Sequence, residues 1–197
     1  MLAFIIASYA LFIFSAYKLN WLCFLLSPFA VAWISFYSLT KRFTRLSHFV
    51  LGASLAMAPM GAWLAIKPKF ELAPFLLSFA VVFWVAGFDI IYGLQDVEFD
   101  RKYGLHSIGA CFGINFALRI SLLNHLIFFI FISISAILWS KYTIAGLTFI
   151  ALLIAYEHVS VRRGNIETAF FKVNAVISLS LIHISEPTRP LYISYAV

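Results

Sequence analysis

Apolar residues run along this chain in blocks of roughly 17 to 22, separated by short polar breaks. Each block is long enough to cross a ~30 Å hydrocarbon core as a helix. The breaks predict seven helices, over 1–17, 21–39, 46–66, 72–93, 115–139, 142–160 and a last one starting near 166. Inside lipid the backbone has no water to bond, so a helix satisfies its own amides and carbonyls. The alternation of a β-barrel strand is absent, and strand-favouring Phe, Ile and Val do not argue against helices here. The predicted fold class is all-α, a polytopic transmembrane helix bundle.

Composition supports that reading. Of 197 residues, 63% are hydrophobic and only 11% are charged, which is too apolar for a soluble domain. The 22 Phe are a lipid-facing and packing complement rather than a ligand box. A net charge of +6 would suggest nucleic acid in a soluble protein, but here it sorts by membrane side. Lys41, Arg42, Arg45, Arg101, Lys102, Arg162 and Arg163 fall in alternate loops, and Lys18, Lys67, Lys69 and Lys141 in the others. The richer set is expected in the cytoplasm, of a bacterial inner (plasma) membrane. Trp21, Trp63 and Trp139 then stand at the opposite helix ends as interfacial anchors. No nucleic-acid or protein partner is implied. Cys23 and Cys111 read as separate buried thiols, with no zinc-type spacing.

The two ends read differently from the middle. Met1 to Tyr17 lacks the basic region and cleavage site of a signal peptide and reads as a full span. Residues 1–178 are expected to form one partial transmembrane domain. Residues 179–197 are expected to be a non-native tail, because Leu-Ser-Leu-Ile-His-Ile-Ser-Glu-Pro-Thr-Arg looks like an in-frame translation of a sequencing-library adapter. Pro187 and Pro190 would break a final helix short of a crossing, although an ordinary native tail is the alternative.

The chemistry concentrates between Asp89 and Gly104, where four acids follow an apolar run. An ionisable group at the end of such a run is costly unless it has a partner or a task. On a helix turning about 100° per residue, the steps from Asp89 to Asp96 and on to Asp100 return to nearly one face, which Tyr92 joins. Like charges so close call for a cation among them, and a divalent ion with oxygen ligands fits. Glu98 and Asp100 read equally as solvated charges beside Arg101 and Lys102. Tyr92 reads either as a hydrogen-bond donor or cation-facing ring, or as an interfacial anchor. Gly104 permits a sharp re-entry and Ser107 is a cap for the next helix. His106 reads as an interfacial loop histidine, or as an imidazole beside the site that hydrogen-bonds phosphate.

A second polar island, Tyr37 to Arg45, lies on the same side as the acids. Lys41 and Arg42 suit a diphosphate, one as a point charge and the other as a fork of donors. In isolation they would be topology signals only; opposite carboxylates they complete a site.

These two segments resemble the UbiA-type intramembrane aromatic prenyltransferases. Asp89, Tyr92, Gly93, Asp96, Asp100, Gly104 and Ser107 match that family's second aspartate-rich motif, and Tyr37, Lys41, Arg42 and Thr44 match the Tyr-x-x-x-Lys-Arg-x-Thr segment of its polyprenyl branch. Phe99 stands where many relatives carry another acid. The resemblance implies about seven helices of a nine-helix fold, without the family's first acidic motif and therefore without half its metal site, so that the polypeptide as given is expected to be inactive.

What the resemblance implies for the parent is transfer of a polyprenyl group from polyprenyl diphosphate to an aromatic quinone precursor, 4-hydroxybenzoate-like or dihydroxynaphthoate-like, on the way to ubiquinone or menaquinone. Its cofactor would be Mg2+, held by Asp89 and Asp96 with Asp100 in support. Asp89, Asp96 and Tyr92 would be catalytic; Tyr37, Lys41, Arg42, Arg101 and Lys102 would bind substrate. The alternative from another class is a membrane transporter that uses the intramembrane acids for ion coupling.

Overall fold

The computed structural model describes residues 2–139, 144–166 and 172–185. It contains α1 (Leu2–Leu19), α2 (Trp21–Thr40), α3 (Ser47–Ile66), α4 (Leu72–Tyr92), two short helices α5 (Val97–Lys102) and α6 (Ile108–Phe112), then α7 (Ile114–Trp139), α8 (Ile144–Arg162) and α9 (Asn174–Ser185). A 3-10 turn, Gly93–Asp96, joins α4 to α5. The predicted blocks appear as α1–α4 and α7–α9, with boundaries shifted by a few residues. The predicted start near 166 borders residues 167–171, and Pro187 and Pro190 fall among 186–197; both stretches lie outside the described residues. α9 itself runs on to Ser185. No strand occurs among the described residues.

Among the described residues, four stretches are long and apolar enough to cross a bilayer: Trp21–Thr40, Ser47–Ile66, Leu72–Lys102 and Ile114–Ala136. Pro28 and Pro59 sit inside α2 and α3. Within a bundle, neighbouring groups compensate the backbone bond each removes. Asn20 starts α2, its side chain accepting from Cys23 N at 2.9 Å, and its amide donates to Leu64 O at 2.8 Å on α3. One residue therefore both caps a helix and ties the α1–α2 turn to the end of α3.

Two compact units make up the chain, residues 1–132 and 133–197. In the first, α3 and α4 form an extensive helix pair. They approach so closely at Gly52 that a Cβ there would collide with the backbone of Val82. Where α4 meets α7, Gly87 lies against the His125 ring, Ser121 Oγ donates to Gly87 O at 2.8 Å, and Trp84 stacks on Phe128. In the second unit, Glu157 of α8 is fully buried and interacts with the Asn174 side chain of α9.

The charges of the first unit separate by end. Lys18, Lys67 and Lys69 stand at one end, where Lys67 lies over the Trp63 ring and Trp63 Nε1 donates to Lys69 O. Lys41, Arg42, Arg45, Arg101 and Lys102 stand at the other, where His106 N donates to Lys41 O at 2.8 Å and so joins the α2–α3 loop to the segment after α5.

Candidate functional site

The second end of the first unit carries the site. Asp89 lies in the last turn of α4 with its side chain about one fifth exposed, and its Oδ2 is 2.7 Å from Nδ1 of His48 on α3. Tyr37, half-buried on α2, is within electrostatic reach of that carboxylate. Asp96 closes the 3-10 turn and is half exposed; Asp100, in α5, has no exposure at all. Lys41 serves both, its Nζ 3.0 Å from Asp100 Oδ1 and 3.8 Å from Asp96 Oδ2.

The three aspartates therefore differ in setting, and the reason is local. A 3-10 turn rotates about 120° per residue against about 100° in an α-helix, so four such residues add roughly 80° between Asp89 and Asp96. The single stripe expected for one continuous α-helix becomes a pair at Lys41 and a separate carboxylate at His48. No group of three or more His, Cys, Asp or Glu side chains gathers at metal-binding distance among the described residues. Asp89 and Asp96 are the partly exposed pair, and two carboxylates fit a hard cation whose remaining oxygens come from phosphate or water.

The remaining predicted side chains sit around this core. Tyr92 is partly exposed one turn after Asp89. Arg42 is exposed beside Lys41. Arg101 Nε donates to Ala110 O at 3.1 Å and Lys102 lies over the Tyr103 ring, so both are engaged within their own segment. Ser107 caps α6 as expected, accepting from Ala110 N at 3.2 Å, and Gly104 takes a φ of 65° that favours glycine. Cys111 is exposed rather than buried, because α6 turns it outward. His48 was not singled out by the sequence. A lone histidine at the start of an apolar helix carries no signal of a partner 41 residues away.

Beside the site opens a cavity of about 660 Å³. Phe43, Phe49, Phe112 and Phe116 line it, with Thr44, Arg45 and His106 adding polar groups. The Arg45 guanidinium lies 5.1 Å from the centre of the Phe112 ring, a cation–π contact that holds it against the cavity wall.

Comparison with known proteins assigns the chain to a family. The UbiA prenyltransferase family model fits residues 1–180. A 4-hydroxybenzoate octaprenyltransferase of Vesicomyosocius okutanii subsp. Calyptogena okutanii is 31% identical over 142 residues, covering 71% of this chain and 52% of that protein. A 4-hydroxybenzoate solanesyltransferase of Synechocystis sp. is 34% identical over 114 residues, covering 54% of this chain and 38% of the relative. The solved apo structure of a UbiA homolog from Aeropyrum pernix K1 superposes with a TM-score of 0.80 at 30% identity, over 91% of this chain and 68% of that one. The chain spans about half the length, or less, of these two curated relatives. It belongs to the UbiA prenyltransferase family, and its apolar helices make it an integral membrane protein.

Proposed function

We propose that the protein containing this chain transfers a polyprenyl group from a polyprenyl diphosphate to an aromatic acid of the 4-hydroxybenzoate type, a step in making a ubiquinone-like quinone. The observation that carries this reading is the placement of Asp89, Asp96 and Lys41 at the same end of an apolar bundle whose sequence matches the prenyltransferase family. A dihydroxynaphthoate-like acceptor, leading to menaquinone, is the second substrate to test. The site would face the cytoplasm of a bacterial inner membrane, because the loops that carry it are rich in Lys and Arg.

Asp89 and Asp96 would hold Mg2+, with Asp100 supporting through its hold on Lys41. Bound magnesium supplies Lewis-acid stabilisation of the negative charge on a departing diphosphate. Lys41 and Arg42 would neutralise diphosphate oxygens or grip the acceptor carboxylate, in which a fork of donors favours Arg42. Arg101 and Lys102 would add positive potential at the same end. The allylic C–O bond breaks with its electron pair leaving on diphosphate, a ring carbon of the acceptor forms the new C–C bond, and the ring then loses a proton. Tyr92 and Tyr37 would line the path of the allylic cation, the ring of Tyr92 offering its face to positive charge. Exclusion of water matters, since water would capture that cation. The phenyl-walled cavity with Arg45 at its edge supports an aromatic acid as acceptor.

The test uses the full-length protein in bilayer nanodiscs, supplied with a polyprenyl diphosphate, Mg2+ and either 4-hydroxybenzoate or 1,4-dihydroxy-2-naphthoate. Prenylated 4-hydroxybenzoate is the expected product. Absence of product from both acceptors would overturn the reading.

A further inference from the structure

We propose that His48 is a positioning residue for Asp89, fixing one carboxylate oxygen so that the aspartate presents a set geometry to a divalent cation bound with diphosphate. The inference rests on the reading of Asp89 as a metal-binding residue. His48 is 4% exposed and its Nδ1 lies 2.7 Å from Asp89 Oδ2, a distance that requires a hydrogen bond.

The imidazole has little freedom of its own. It projects from the second residue of α3 toward the end of α4, and Gly93, the first residue past α4, leaves room beside it: a Cβ at that position would stand 3.2 Å from His48 Cε1. The two helices that carry the pair are themselves in close contact, with Gly52 against the Val82 backbone. A rigid helix pair therefore sets the imidazole, and the imidazole sets the carboxylate. An unsupported aspartate at a helix end samples several rotamers, whereas Mg2+ demands near-octahedral oxygen placement. Partners that hydrogen-bond a metal's carboxylate typically change metal affinity or activity about 10–100-fold when removed.

The experiment measures Mn2+ binding by electron paramagnetic resonance, with inorganic pyrophosphate present, on the full-length protein in nanodiscs, alongside prenyl transfer to 4-hydroxybenzoate. His48→Leu, which keeps apolar bulk and removes the donor, should weaken Mn2+ binding about 10–100-fold. His48→Asn, whose amide N–H can stand where Nδ1–H stood, should recover most of that loss. A packing role alone would lower the yield of folded protein without moving the Mn2+ affinity of what folds, and Asn would not rescue it. Wild-type Mn2+ affinity in His48→Leu, or Asn no better than Leu, overturns the inference, as does a wild-type protein that transfers prenyl groups but binds no Mn2+ with pyrophosphate. Mn2+ binding that depends on His48 in a protein without transfer to either acceptor overturns the proposed activity and leaves the His48 assignment standing.

Discussion

Lys41 Nζ lies 3.0 Å from Oδ1 of Asp100, a carboxylate with no exposure to solvent. Asp100 is thereby the anchor of a cation that also reaches Asp96. Lys41→Met would strand the buried carboxylate. Breaking a fully buried pair costs about 3–5 kcal/mol, and because Lys41 is one third exposed the expected loss is smaller, about 1–3 kcal/mol. The double variant Lys41→Met/Asp100→Leu should recover much of it. Thermal unfolding in detergent decides; a single variant as stable as the wild type refutes the anchor.

Asp89→Asn and Asp96→Asn should each reduce magnesium-dependent transfer by at least about 10²-fold, the scale of losing one electrostatic contact to developing charge. Membrane insertion should be unaffected, since both carboxylates lie at or beyond the end of the apolar span and Asn keeps their size and polarity. Chelation with EDTA should silence the wild type and added Mg2+ should restore it. Near-normal turnover in either variant would contradict the assignment.

Arg42→Ala should raise the KM of the acceptor or of the diphosphate with a smaller change in kcat. A charged hydrogen bond contributes about 1.5–3 kcal/mol, which corresponds to roughly 10–100-fold. Steady-state kinetics with each substrate varied in turn identifies which one Arg42 holds.

Gly52→Ala should destabilise the first unit by about 1–3 kcal/mol, because the added methyl meets backbone atoms of Val82 that cannot rotate away. Gly61→Ala, on the same helix with open space around it, should be neutral or stabilising by up to about 1 kcal/mol. Melting temperatures of the two variants side by side test whether the close approach of α3 and α4 is the cause.

Much of this architecture is legible in the residues. Each apolar block ends at a polar break such as Lys18–Asn20 or Lys67–Lys69, and the helices end within a few residues of them because lipid leaves the backbone no other choice. The acids and the Lys-Arg pair also declare themselves, since charge is scarce in such a chain. Two things were not legible. The change of pitch at Gly93–Asp96 depends on how α5 and α6 pack against the turn, where Gly109 allows close contact with Val97, and no local propensity announces it. His48 is paired through space across α3 and α4, and a sequence read along one helix at a time has no means of joining residues 48 and 89.

The amide of His106 bonds the carbonyl of Lys41, so main-chain atoms fasten the two loops at this end beside the Lys41–Asp100 pair. The His106 side chain, which lines the cavity, takes no part in that bond, so it can be exchanged to admit a differently substituted ring while the loops stay joined.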